Sequence, residues 1–178
     1  MRFRRRLADS AMNQGFNNDA WAHISEIVLA AASGERSRFR HAVEHFATDA
    51  SPHDHATAGP YLYFLLRYWV IKLVNRSPSA DDLGELARRA LDPVSVVLEA
   101  ADLDAVACLL LSVFHLLPPR DVPPPGELFV LGCAVLGTLL HGSDPAANLE
   151  DMRGPLANYH QRYAGDFAEL TTDTDQRE

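Results

Sequence analysis

The chain of 178 residues has the length of one ordinary domain, and its 47% hydrophobic and 22% charged composition excludes wholesale disorder and fibrous repeats. Sixteen basic against 24 acidic residues give a formal net charge of −8. That balance argues against nucleic acid as the main partner, because phosphate neutralisation needs a basic face.

The N-terminus, Met1-Arg2-Phe3-Arg4-Arg5-Arg6, has the charge of a signal-peptide start. The polar stretch from Ser10 to Asp19 then stands where an apolar segment should follow. Residues 1–17 therefore read as a flexible basic arm, with Met12 as an alternative start. Apolar residues from there on recur at helical spacing nearly everywhere, with no strand-type alternation. The first helix is predicted over 18–33, with Trp21, Ile24, Ile27, Val28 and Ala31 on one face and Gly34 closing it. A second is predicted over 35–49, with Phe39, Ala42, Val43, Phe46 and Ala47 as its stripe. Residues 50–59 read as a loop.

Pro60 suits the first turn of a third helix reaching residue 76, since a missing N–H costs nothing there. This helix is apolar on most sides and is expected centrally in the core. Ser79-Ala80-Asp81-Asp82 resembles a capping box opening a fourth helix, which should stop near Leu91 before Asp92-Pro93. A short helix over 94–100 follows, then a fifth over 103–117 capped by Asp102. The connector 118–125 holds five prolines and cannot be helical. A further helix spans 126–141. Asp144-Pro145 opens a short one to about Arg153, and Gly154-Pro155 opens the last, to about Leu170. Residues 171–178 read as a disordered polar tail.

These segments predict an all-α domain over 18–170, with about seven to eight helices as antiparallel hairpins in a bundle. Helices starting near 18, 60 and 103 recur about every 42 residues, the length class of HEAT-like stacking. The longest apolar run, Leu128 to Leu140, falls short of the roughly 20 residues needed to span a bilayer. Cys108 and Cys133 lie in apolar runs without a spacing motif and read as reduced core thiols, consistent with a cytoplasmic location. Fifteen of the 16 basic residues are arginine, a bias typical of high-GC bacterial coding.

Histidine is the compositional anomaly. His41, His45, His53 and His55, four of eight, fall within fifteen residues, beside Glu44, Asp49 and Asp54. His41 and His45 are i and i+4, a spacing that lets two imidazoles meet one divalent metal ion, with His53 and His55 as further ligands. His41-Ala42-Val43-Glu44-His45 also fits the H-x-x-E-H pattern of one zinc-peptidase class. The apolar stripe of that helix lies on the opposite side, so both imidazoles are expected to face away from the packing surface. A solvated or interface-lining cluster, with no bound cofactor, is the plainer reading. His53-Asp54 is the dipeptide of HD-class phosphohydrolases, but it follows Ser51-Pro52 and not an apolar helical run. Asp81, Asp82, Glu85, Asp102, Asp104 and Asp144 sit at helix starts and read as caps. His115 reads as a core histidine, and His141 as a partner of its own helix's C-terminal dipole.

No phosphate loop, G-x-S-x-G elbow or C-x-x-C pair is present in the sequence, so nucleotide, ester and redox chemistry lack support. The expectation is a non-catalytic protein-interaction module that finishes burying its apolar helices against a second copy or another protein. The alternative is a small-molecule-binding bundle using Tyr61, Phe64, Tyr68 and Trp69. A metal-dependent enzyme built on His41–His55 is the third reading.

Overall fold

The computed structural model describes residues 15–117, 125–141 and 144–162. Seven helices and no strands occur among the described residues. They are α1 (Asn18–Ala32), α2 (Arg36–Asp49), α3 (Pro52–Val74), α4 (Ala80–Val97), α5 (Leu103–Val113), α6 (Pro125–Leu140) and α7 (Pro145–Arg162). The basic residues 2–6, Met12, the prolines of 118–124 and the tail lie outside the described residues.

Local chemistry sets most helix starts. Asn17 caps α1 by accepting from the N–H groups of Asp19 and Ala20. Ser51 with Asp54, and Ser79 with Asp82, form reciprocal capping boxes at α3 and α4. Asp102 accepts from Ala105 N–H, and Asp144 from those of Ala146 and Ala147, so both act as the expected caps. In the exposed box at α4, hydrogen bonds from Ser79 hold the Asp82 carboxyl below its ordinary range, with Arg76 adding to the effect.

Three expected breaks are absent. Residues 50–59 are not a loop: α3 begins at Pro52 and carries Pro60 inside it. Likewise α4 runs through Pro93, and α7 runs through Pro155. Two residues expected within the arm are held by the bundle, since Phe16 stacks on Tyr61 at 5.2 Å and Asn17 is buried.

α6 lies at the centre and packs against α1, α3, α4, α5 and α7. Its Leu131, Ala134, Val135, Leu136 and Leu140 are buried, and such Val and Leu side chains each contribute about 1.5–3 kcal/mol. The predicted α1 face, Trp21, Ile24, Ile27, Val28 and Ala31, is buried in full, whereas Ala47 of the α2 stripe is exposed. Contact between α1 and α6, far apart in sequence, is incompatible with units that meet only their chain neighbours. The spacing of about 42 residues therefore reflects helix and loop lengths in a bundle, not stacked repeats. Cys133 is buried and Cys108 half-buried, and both thiols are free. Burial pushes the Cys133 thiol well above its ordinary value. No single helix among the described residues is long and apolar enough to cross a membrane.

α5 ends at Val113, before the expected Leu117. Leu116 N–H donates to Leu111 O and His115 N–H to Ser112 O, each at 2.9 Å, the bond pair that closes a helix through a left-handed residue. His115 is that residue, with φ 56°, and it is exposed, not a core histidine. A side chain in this conformation costs about 1 kcal/mol relative to glycine. His115→Gly is expected to raise stability by about that amount, read as a higher urea midpoint at unchanged slope.

Candidate functional site

Two features stand apart from ordinary core packing. The first is a groove of about 230 Å³ between α3, α5 and α6. Its α3 wall is Gly59, Leu62, Tyr63 and Leu66, which share one helix face, and Leu109, Leu128 and Phe129 complete it. The lining is almost wholly apolar. Tyr63 hydroxyl donates to the Ser112 carbonyl at 2.5 Å, so its polar end is already engaged. Burial raises the Tyr63 phenol above its ordinary value, against the opposing charge of Arg67.

None of the four predicted ligand-binding aromatics lines this groove or the more polar cavity beside α4. Tyr61 is fully buried in a polar network described below. Trp69 is buried, donates its indole N–H to Leu139 O at 3.1 Å, and has the Lys72 ammonium 4.8 Å from its ring. Phe64 and Tyr68 stack at 5.9 Å, with Tyr159 against Phe64 at 4.8 Å. Tyr63 is the aromatic that reaches the groove. Its i, i+3, i+4 and i+7 relation to Gly59, Leu62 and Leu66 was readable, but only once α3 extends back past Pro60.

The second feature is a histidine–carboxylate face between α1 and α2. His45 Nδ1 lies 3.2 Å from Glu26 Oε2, and its Nε2 lies 3.1 Å from Asp49 Oδ2. His23, three residues before Glu26 on α1, meets the His45 ring edge-on at 5.7 Å. Donor atoms of His23, Glu26 and His45 all fall within 4.8 Å of one another. Of the four predicted metal ligands only His45 belongs to this set. His41 is exposed, with its ring 6.5 Å from that of His45. His53 is exposed in the first turn of α3, and His55 packs on Phe46 at 4.5 Å. His45 also departs from the expected outward orientation, because it reaches across to α1. Meanwhile His141 lies 3.1 Å from the Ala32 carbonyl, at the end of α1 and not of its own helix.

Behind this face runs a buried polar network. Asn17 Nδ2 donates to Asp54 Oδ1 at 2.9 Å, and Ser51 N–H and hydroxyl donate to Asp54 Oδ2. Burial pushes the Asp54 carboxyl up, but the bonds from Ser51 and Asn17 outweigh it and hold the group below its ordinary value. Asn17 N–H donates to the Tyr61 hydroxyl at 3.0 Å, which lies 3.0 Å from His160 Nδ1. Burial lifts Tyr61 to about 12, so it stays protonated. The network thereby ties α1, α3 and α7 together, and its polar groups are engaged structurally.

Among the described residues the fold and its surface thus define an all-α bundle that carries an apolar groove and a histidine–carboxylate face. Compared with known proteins, the chain matches no family model, no curated protein and no solved structure.

Proposed function

We propose that the protein is a non-catalytic helical interaction module that self-associates through the groove between α3, α5 and α6. The observation that carries this reading is the groove's size and chemistry. At about 230 Å³ it falls below the roughly 300–1,000 Å³ of pockets that enclose a small molecule. It is instead on the scale of the recesses that receive one or two anchor side chains at an interface. Among the described lining residues the polar side chains, Tyr63 hydroxyl and Ser112, bond within the chain and so are not poised to orient a polar ligand. Large apolar side chains that stay more than one-third exposed, Ile71, Leu73, Val96, Leu103 and Leu116, supply anchors for such a recess on a second copy.

Leu128→Glu tests the proposal. Leu128 is half-buried at the groove and lies in the first turns of α6, where a carboxylate favours the helix dipole. Wild-type protein is expected to approach the mass of two chains in light scattering as concentration rises. The variant is expected to remain at one chain with unchanged circular dichroism. A strictly monomeric wild type, or equal association by the variant, rejects the reading.

A further inference from the structure

We propose that the face between α1 and α2 is a binding site for a divalent transition-metal ion, with His23, Glu26 and His45 Nδ1 as ligands and Asp49 holding His45 from behind. The proposal is independent of the groove.

The donor arrangement is the first argument. A tetrahedral zinc with ligands at about 2.0–2.1 Å has its donors about 3.3 Å apart. Glu26 Oε2 and His45 Nδ1 already lie at 3.2 Å, and the whole set lies within 4.8 Å. Closing the site therefore means drawing donors up to 4.8 Å apart together by as much as about 1.5 Å, a shift within the reach of side-chain rotation.

The second argument is the position of Asp49. Metal-bound imidazoles almost always donate their other ring N–H to a carboxylate or carbonyl, which fixes the tautomer and ring orientation. Asp49 Oδ2 stands 3.1 Å from His45 Nε2, on the side away from Glu26. The Thr48 hydroxyl, also within reach of the Glu44 and His45 carbonyls, lies 2.8 Å from Asp49 Oδ1. A ligand imidazole with a carboxylate behind it is the arrangement that such sites use.

Charge supplies the third argument. Among the described residues neither Glu26 nor Asp49 pairs with an arginine or lysine, and both face the His45 ring. Two imidazoles thus sit with two carboxylates, negative charge that a divalent cation neutralises. Two nitrogens and one oxygen suit zinc, cobalt or nickel better than magnesium or calcium, which prefer all-oxygen sets. Three protein ligands leave a fourth position for water.

The test is calorimetric titration of the full chain with zinc, paired with cobalt absorption spectra. One ion per chain is expected. His23→Ala and His45→Ala should each weaken binding by about 100-fold or more, and Asp49→Asn by about 10–100-fold. A His41→Ala, His53→Ala, His55→Ala triple variant should bind like the wild type. All these positions are at least partly exposed, so circular dichroism should show intact helices throughout. Absence of zinc uptake by the wild type, wild-type affinity in His23→Ala, or loss of binding in the triple variant overturns the assignment.

Discussion

Replacing Gly137 by alanine is expected to lower the unfolding free energy by about 3 kcal/mol, a large effect for one methyl group. A Cβ at this position would lie 2.5 Å from the Val28 carbonyl oxygen, 2.6 Å from Ala31 Cβ and 2.9 Å from Ala32 N. Two of these atoms belong to the α1 backbone and cannot rotate away. The only relief is to separate α1 from α6, which loosens the packing around the central helix. Gly132 offers a contrast on the same helix, since its nearest neighbour is Leu62 Cδ2 at 2.8 Å, the end of a flexible side chain. Gly84→Ala is the matched control. Its added methyl would meet only Arg88 Nη2 at 3.9 Å, and helix propensity should raise stability by roughly 0.5–1 kcal/mol. Urea unfolding followed by circular dichroism reads both. Equal midpoints for the two variants would mean that α1 and α6 do not meet at Gly137.

Helix type was legible because the apolar spacing is strong, and the caps were legible because Ser79, Asp102 and Asp144 precede their helices at the right distance. What failed was reading proline as punctuation. Pro60, Pro93 and Pro155 all sit inside helices. A proline in a helix removes one N–H and crowds the Cβ of the preceding residue. Glycine precedes two of the three, Gly59 and Gly154, and without a Cβ it relieves part of that crowding. Asp92 has no such relief, yet Leu83, Leu86, Ala87 and Ala90 before Pro93, and Val94 and Val97 after it, are buried on one continuous face. Burial on both sides outweighs a local cost of about 3 kcal/mol.

The candidate sites were less legible, for a geometric reason. The histidine count drew attention to a stretch of chain, whereas a site is a meeting of helix faces. His53 and His55 are near His45 in sequence, but α3 starts at Pro52 and carries them in its own first turns. His23 lies far from the cluster in sequence and meets His45 because α1 packs on α2. The i, i+3 pair His23 and Glu26 was the available signal. Recognising it required knowing which α1 face meets α2, and that depends on the packing of all seven helices.

The buried carboxylate carries the other large expected effect. Asp54→Asn is expected to cost about 2–3 kcal/mol at pH 7, because the new amide turns a donor toward donors and leaves buried groups unpaired. The wild-type carboxylate accepts from Asn17 Nδ2, Ser51 N–H and Ser51 hydroxyl, and only the ionised form serves all three fully. Its folded value lies below the ordinary 3.8, so the stabilisation is fully present above that pH and is lost as pH falls through the lowered value. The stability gap between wild type and Asp54→Asn should therefore be constant near neutrality and shrink below about pH 4. Asn17→Ala removes the cap of α1 together with one of these bonds, so it should cost a similar amount. Combining the two changes should cost less than their sum, because both variants lose the same Asn17–Asp54 hydrogen bond. Additive costs in that cycle would mean that Asp54 acts only in the capping box of α3 and not as the tie between α3 and α1, whereas a gap that does not change in acid would mean that ionisation of Asp54 is not coupled to folding.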